Sequence, residues 1–255
     1  SNSVAGSAAP GVGQPAGNEG IPAPGETRPP RFASASTRQL RIASVIFGIS
    51  RRGTPVAVYY RMSWAIWITG PPGSGKTTLA RGVGTALGAR GVALKVLELD
   101  EIRKVLTPAP IYSDAEREIV YRALAYMAKL LTEAGVPVVI DATGHLRAWR
   151  ELVRGLIPAF AEVQLLCPIE VCREREERRR PGYAPRAIYA RAGSPGATVP
   201  GVDVPYEVSF RPELTLNTDE RDLWTQVQEV LYLVRRISRI AAFQAPRVQR
   251  RFVCE

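Results

Sequence analysis

The feature that most constrains this sequence is the glycine-rich stretch GPPGSGKTT at residues 70–78. It fits the pattern GxxxxGK[ST], in which the backbone N–H groups of a tight turn point at the phosphates of a nucleotide. An apolar, β-prone run leads into the stretch, and apolar residues at helical spacing follow it. A strand, a glycine-rich loop and a helix in this order predict a loop that cradles phosphate.

The side chains of this loop have distinct expected roles. Lys76 is placed to reach the β and γ phosphates as a point charge, and Thr77 to offer its hydroxyl to Mg²⁺. Because phosphoryl transfer depends mainly on positioning and charge, we also predict that Lys76 is catalytic. ATP is expected to contact Gly70, Pro71, Pro72, Gly73, Ser74, Gly75, Lys76, Thr77 and Thr78.

Apolar runs typical of buried strands alternate with helical segments through the rest of the chain. The runs are WAIWIT, VALKVLELD, VPVVID, AEVQLLC and ELTLNT. This alternation predicts an α/β fold of the P-loop nucleoside-triphosphate hydrolase type, a three-layer sandwich with a mostly parallel sheet.

Two predicted helices have clear internal signals. The helix after the phosphate loop carries Leu79, Val83 and Leu87 on one stripe. A longer helix opens with Ser113 and Glu116 at capping-box spacing and stops at a glycine. Its expected apolar stripe is Ile119, Ala123, Met127 and Leu131.

The N-terminal part of the chain differs in composition from the rest. Residues 1–30 contain six prolines and six glycines, and residues 1–61 hold seven arginines but only two glutamates. We predict a flexible, disordered, low-complexity extension at 1–61, which includes a candidate short helix or strand at 39–60, and a P-loop domain at 62–255. The acid-poor start is also compatible with a transit peptide.

Charge and rare residues argue against several classes of protein. The formal net charge is +10 at pH 7, but the arginines are scattered without interleaved aromatic residues, which disfavours nucleic acid as a partner. Arg51 and Arg52 interrupt the one apolar run that approaches a membrane span. Three cysteines without a CxxC pair and a single histidine suggest neither a zinc site nor a disulfide framework. We therefore expect a cytoplasmic protein with no membrane partner.

Two apolar runs end in carboxylates, Asp100 and Asp141. Strands of an open α/β sheet deliver such residues to the edge where ligands bind. Asp100 is expected to orient or deprotonate an acceptor hydroxyl, and Asp141 to assist Mg²⁺ beside Thr77. The alternative for Asp141 is a cap of the next helix, and Glu98 could be only structural.

Seven arginines and three glutamates lie between Arg173 and Arg191. Such a charge run is often a solvated helix without a function. In a phosphate-transfer enzyme, however, a mobile basic segment stabilises charge on the moving phosphoryl group and excludes water. We favour this second interpretation and predict a basic lid at about residues 176–206.

The order of these motifs resembles that of the adenylyl-sulfate kinases (APS kinases), small P-loop kinases that transfer the γ-phosphate of ATP to the 3′-hydroxyl of adenosine 5′-phosphosulfate. The resemblance runs from Met62 to about Ile240. ELDEIR resembles the family's DGDxxR, and YSDAEREIVYR its FSxxDRxxNxRR helix. PIEVCRER resembles PLEVCExR, and VPGVDVPYE resembles FTGIDxPYE.

The resemblance implies roles for individual residues. Asp100 matches the catalytic, substrate-contacting aspartate, and Arg103 a substrate arginine. Arg117 and Arg122 match two arginines that contact the sulfonucleotide, and Arg175 would lie beside the ATP base. ATP and Mg²⁺ are the implied cofactors, with a small anionic acceptor as partner and a homodimer as the assembly to consider.

Two departures from the family pattern fall in the acceptor pocket. Val120 stands where the family has an asparagine, and Ala142 where it has a phenylalanine that packs on the substrate adenine. They leave two alternatives open. One is a kinase of the same fold that acts on another hydroxyl, and the other is a non-catalytic ATP-binding module.

Overall fold

The computed structural model describes residues 45–49, 55–59, 63–179, 182, 184–185 and 187–244. Two short strands, β1 (Val45–Ile49) and β2 (Pro55–Tyr59), pair with each other in antiparallel fashion. They fall within the predicted extension. The remainder of residues 1–61 lies outside the described residues, so the domain boundary, the disorder and the transit peptide stay predictions.

A parallel sheet of five strands forms the centre of the fold, as the alternating pattern predicted. Every pairing is parallel, and β3 lies in the middle of the order β4-β5-β3-β6-β7. The strands are β3 (Ala65–Thr69), β4 (Lys95–Glu98), β5 (Val138–Asp141), β6 (Phe160–Leu166) and β7 (Leu214–Asn217).

Helices cover both faces of this sheet. They are α1 (Lys76–Gly88), α2 (Leu99–Leu106), α3 (Asp114–Glu133), α4 (Arg147–Leu156), α5 (Ile169–Glu177) and α6 (Leu223–Gln244). Helices α1 and α6 pack with one face of β3 through Ile66 and Ile68, and α3 and α4 pack with the other through Ala65 and Trp67. The result is the predicted three-layer α/β sandwich. No helix in the described part of the chain is both long and apolar enough to cross a membrane.

Helix α3 begins as predicted but presents a different face to the core. The Ser113 side chain accepts a hydrogen bond from the Glu116 backbone N–H, as a capping residue does. The buried residues include Val120, Leu124 and Ala128, whereas Ile119 is 68% exposed. The predicted stripe was therefore wrong for Ile119, whereas Met127 and Leu131 are partly buried and pack against the core. Apolar residues surround much of this helix, so periodicity alone could not choose the face that packs.

Strand β4 ends two residues earlier than the apolar run predicted. Leu99 and Asp100 are the first two residues of α2, and Glu98 is its N-cap. A carboxylate in the first turn of a helix interacts favourably with the helix dipole, which explains the early helix start. Asp100 therefore lies just beyond the carboxyl end of β4 rather than on the strand.

Candidate active site

A cavity of about 710 Å³ lies at the carboxyl edge of the sheet. It collects residues from the phosphate loop, α2, α3, the loop after β5, α5 and the predicted lid. Among its lining residues are Pro72, Gly73, Gly75, Lys76, Thr77, Thr78, Asp100, Arg103, Arg117, Asp141 and Arg175. Most of the residues predicted for the site are thus brought together around one space.

The phosphate loop owes its shape to two glycines. Gly73 has φ +77° and Gly75 has φ +96°, a region that other residues rarely adopt. A β-carbon on Gly73 would lie 2.2 Å from the carbonyl oxygen of Cys172, so the loop packs directly on the backbone of α5. Gly75 caps the N-terminus of α1, where unpaired N–H groups favour a bound anion.

Charges of both signs meet beside the loop. Lys76 Nζ donates a hydrogen bond to the carbonyl oxygen of Pro71 at 2.9 Å. Burial lowers the pKa of Lys76, and the nearby carboxylates of Asp141 and Asp100 oppose that shift. An ammonium group held among these groups is positioned to neutralise phosphate oxygens.

The two carboxyl groups respond to burial in the opposite sense. Burial raises the pKa of Asp141 to about 6, against the attraction of Lys76 and a hydrogen bond from Thr77. Burial also raises the pKa of Asp100, against the attraction of Lys76 and Arg103. Both groups are therefore more basic than ordinary aspartates, which suits a group that accepts a proton or binds a cation.

Thr77 and Asp141 form a pair of oxygen donors that suits Mg²⁺. The Thr77 side chain hydrogen-bonds the Asp141 carboxylate, which is only 6% exposed. Within the described residues, no three histidine, cysteine or acidic side chains cluster as metal ligands. Mg²⁺ commonly uses one or two carboxylate groups together with substrate phosphates, so the residues present fit this ion.

Two buried arginines line the side of the cavity beside Asp100. Arg103 pairs with Glu116 at 2.9 Å and lies over the Tyr112 ring. Arg117 donates from Nη2 to the carbonyl oxygen of Thr198 at 2.8 Å and to its hydroxyl at 2.5 Å. The Nη1 atom of Arg117 is buried without a partner among the described residues. A buried, unpaired guanidinium nitrogen is suited to bind an anion.

Arg122 lies outside this cavity, unlike the other predicted substrate residues. Its side chain is 64% exposed and pairs with Glu118 at 2.6 Å. Arg122 comes five positions after Arg117, which places it about 140° further round the helix. The structure therefore does not bring Arg122 together with the rest of the site.

The opposite side of the cavity, beside β6 and β7, carries Arg175. Its guanidinium donates to the hydroxyl of Thr218 at 3.1 Å and to the Thr218 carbonyl oxygen at 2.8 Å. Both residues follow the carboxyl ends of these strands, on the other side of β3 from Asp100. The phosphate loop therefore separates an Arg175 side from an Asp100 side.

Sequence reasoning assigned no role to several residues of the lining: Tyr112, Tyr121, His145 and Thr198. His145 comes four residues after Asp141, in the loop after β5. Its position just beyond the carboxyl end of a strand could have indicated from sequence that it lines the site. Of the two departures from the family pattern, Ala142 lines the cavity. Val120 is fully buried in the core instead.

Comparison with known sequences finds the same family that the sequence motifs resemble. The sequence profile of the adenylylsulphate kinase family matches residues 62–217. A probable adenylyl-sulfate kinase of Archaeoglobus fulgidus is 36% identical over 164 residues, which cover 63% of this chain and 99% of the relative. The adenylyl-sulfate kinase of Rippkaea orientalis is 35% identical over 182 residues, 68% of this chain and 96% of the relative.

A solved structure resembles the fold as well. The APS kinase CysC of Mycobacterium tuberculosis, determined in complex with AMPPNP and APS, matches with a TM-score of 0.60 and 31% sequence identity. The match covers 68% of this chain and 98% of the other.

Proposed function

The chain belongs to the adenylylsulphate kinase family, and from this premise we propose that it transfers the γ-phosphate of ATP to the 3′-hydroxyl of adenosine 5′-phosphosulfate. One observation carries the proposal. A single cavity joins the phosphate loop to Asp100 and to the buried, unpaired Nη1 of Arg117. ATP and an anionic acceptor can therefore meet at one carboxyl group.

The donor side of the cavity is assigned to ATP. Lys76 and the backbone N–H groups of the non-proline residues among 70–78 hold the β and γ phosphates, and Arg175 lies beside the base. The relative solved with AMPPNP supports this arrangement, because it shares the fold. Arg175 donates hydrogen bonds to the hydroxyl and the carbonyl oxygen of Thr218, and these bonds fix the orientation of its guanidinium plane.

The acceptor side is assigned to the sulfonucleotide. Arg117 offers its unpaired Nη1 to the anionic group, and Arg103 lies next to it along the same wall. Guanidinium groups match the geometry of phosphate and sulfate oxygens. Arg122 has no part in this proposal, because its side chain points to solvent.

Asp100 connects the two halves of the reaction. Its raised pKa favours taking the proton of the 3′-hydroxyl as that oxygen attacks. The bond from the 3′-oxygen to the γ-phosphorus forms while the bond from that phosphorus to the β–γ bridging oxygen breaks, and ADP leaves with the electron pair. Lys76 neutralises charge that accumulates on the phosphate oxygens.

Thr77 and Asp141 are the residues that would hold Mg²⁺. When bound, the ion supplies positive charge to the oxygens of the β and γ phosphates. The two protein oxygens that would ligate it are already joined by a hydrogen bond, so little rearrangement is needed to bring them to one cation.

We also propose a domain boundary, a lid, a cellular location and an oligomeric state for this protein. We propose that the kinase domain starts near residue 62 and that residues 176–206 act as a basic lid over ATP. A cytoplasmic location and a homodimer are likewise part of the proposed description.

The competing proposal is a kinase of the same fold with another hydroxyl acceptor. Ala142 favours it, because this small residue leaves the cavity wall without the aromatic ring expected from the family pattern. The test is ADP release by the full chain with Mg²⁺ and ATP, in the presence of adenosine 5′-phosphosulfate, a sugar or no acceptor. Release that depends on the sulfonucleotide supports our proposal, and release stimulated only by the sugar would replace it.

A further inference from the structure

We infer that His145 is a specificity-determining residue, which hydrogen-bonds a neutral polar group of the acceptor through its imidazole ring. This inference rests on the proposed function. The contact would be separate from the anion contact at Arg117. The edge of a nucleobase, with its neutral donors and acceptors, is the chemical group that we assign to it.

The fold places His145 on the acceptor side of the cavity. It lies in the loop between β5 and α4, and β5 pairs with β4 on one side and with β3 on the other. Asp100 follows β4, whereas Arg175 follows β6 beyond β3. His145 is therefore on the same side of the phosphate loop as the proposed base and the acceptor arginines.

The ring of His145 is held firmly but has unused hydrogen-bonding capacity. It meets the Trp149 ring edge-on, with the centroids 4.9 Å apart, and the residue is only 4% exposed. Its backbone carbonyl accepts a hydrogen bond from the Glu207 N–H at 2.9 Å. No side-chain hydrogen bond joins the ring to any other residue in the described ranges, although the residue lines the cavity.

The electrostatic surroundings keep this ring uncharged. Burial, together with the positive charges of Arg117 and Arg150, lowers the pKa of His145 to about 4. Asp114 and Glu207 oppose the shift. A neutral imidazole has one donor and one acceptor, so it suits a neutral polar group better than a phosphate or sulfate.

A ligand group that completes the hydrogen bonds of a polar side chain in a cavity wall adds to the binding free energy. A donor or acceptor that remains without a partner away from water is costly, and a ligand that supplies the partner is bound more tightly. A site of this kind also rejects analogues that lack the matching group. His145 is thus expected to act on acceptor affinity and to have little effect on ATP.

The experiment compares the full chain with His145→Ala, His145→Asn and His145→Gln, using kcat and KM for both substrates. Asparagine and glutamine place an amide near one or the other ring nitrogen, so one of them is expected to restore the contact in part. Val153→Ala is the matched control, because Val153 is buried in the core cluster that also contains Trp149, the residue that His145 packs against, but does not line the cavity. Circular dichroism and a melting curve check the folding of each variant.

We expect His145→Ala to raise KM for adenosine 5′-phosphosulfate about tenfold and KM for ATP less than about twofold. One amide variant should recover part of the loss, and Val153→Ala should leave both KM values near those of the wild type. Unchanged acceptor KM in His145→Ala overturns the inference, as do equal changes for both substrates or an acceptor effect equal to that of Val153→Ala. A wild-type chain that fails to phosphorylate the sulfonucleotide would instead overturn the proposed function on which the inference rests.

Discussion

Arg117 on α3 holds Thr198, 81 positions further along the chain, through two hydrogen bonds from one guanidinium nitrogen. The contact joins the predicted lid to helix α3, which carries the arginine that we propose binds the acceptor. It occupies Nη2 and leaves Nη1 buried without a partner in the described part of the chain. One side chain thus both anchors the wall of the cavity and keeps a donor free for a ligand.

Replacing Arg117 with lysine should weaken acceptor binding selectively. Lysine keeps the charge but cannot hold Thr198 and an anion at the same time, because it lacks the planar fork. We expect KM for adenosine 5′-phosphosulfate to rise roughly tenfold to a hundredfold, with a much smaller change for ATP. Steady-state kinetics with each substrate varied in turn measures this difference.

The matched control is Arg122→Ala on the same helix. Arg122 is exposed and paired with Glu118, so its loss should change either KM by less than about twofold. An effect on acceptor KM as large as that of Arg117→Lys would mean that Arg122 turns into the cavity when substrate binds. That result would contradict the exclusion of Arg122 from the acceptor site.

Lys76→Met should abolish most turnover without unfolding the protein. The variant removes the ammonium group that lies near Asp100 and Asp141 and that we propose neutralises the phosphates. The loss of one charge-stabilising donor typically lowers kcat by roughly a hundredfold or more. Product formation under saturating substrates measures the loss, and a melting curve confirms folding. Wild-type turnover in a folded Lys76→Met protein would refute the role of this loop.

Gly73→Ala should destabilise the phosphate loop. The new β-carbon would lie 2.2 Å from the carbonyl oxygen of Cys172, and φ is +77°. We expect the free energy of unfolding to fall by on the order of 2 kcal/mol. Gly88→Ala is the control, since nothing lies within 4 Å of the position that its β-carbon would take and alanine favours a helix. Urea unfolding of both variants checks the contrast, which equal stabilities would contradict.

The phosphate loop and the α/β fold were predictable because each depends on local patterns. The stripe of Leu79, Val83 and Leu87 is buried as expected, and these residues pack on β3. The loop sequence itself demands the backbone that Gly73 and Gly75 adopt. Neither feature requires knowledge of distant contacts.

Features that depend on packing between distant segments were harder to predict. Helix α3 turns a different face to the core from the one that its apolar stripe predicted. This orientation is consistent with the stacking of Tyr121 on Trp149 of α4, with ring centroids 3.9 Å apart. This contact joins residues far apart in sequence, so Ile119 was assigned to the wrong face. The same orientation buries Arg117 and exposes Arg122, which a motif alone could not distinguish.

Asp141→Asn should stabilise the unliganded protein at neutral pH while it lowers activity. The folded-state pKa is about 6, above the ordinary value of 3.8, so ionisation disfavours the folded state as pH rises through this range. The gap corresponds to up to about 3 kcal/mol, which asparagine would recover above pH 6 and not below pH 4. Denaturant unfolding at both pH values measures it. A stabilisation of equal size at both would contradict the shifted pKa.

His145 should make the folded protein less stable as pH falls, whereas Asp141 makes it less stable as pH rises. Its folded-state pKa of about 4 lies below the ordinary 6.5, so the unfolded chain takes up a proton first as pH falls. Stability from this group is present above pH 6.5 and is lost as pH falls toward 4, by up to about 3 kcal/mol. Comparison with His145→Gln across this range isolates the contribution. Identical pH profiles would show that the ring is not shielded.

The most direct test of the proposed function is to identify the product made by the full chain from ATP, Mg²⁺ and adenosine 5′-phosphosulfate. Mass spectrometry and phosphorus NMR would give the mass of the nucleotide and the position of any added phosphate, with Lys76→Met as the blank. We predict one phosphoryl group on the 3′-hydroxyl and one ADP for each product molecule. ADP without a phosphorylated sulfonucleotide, or phosphate at another position, would contradict the assigned reaction.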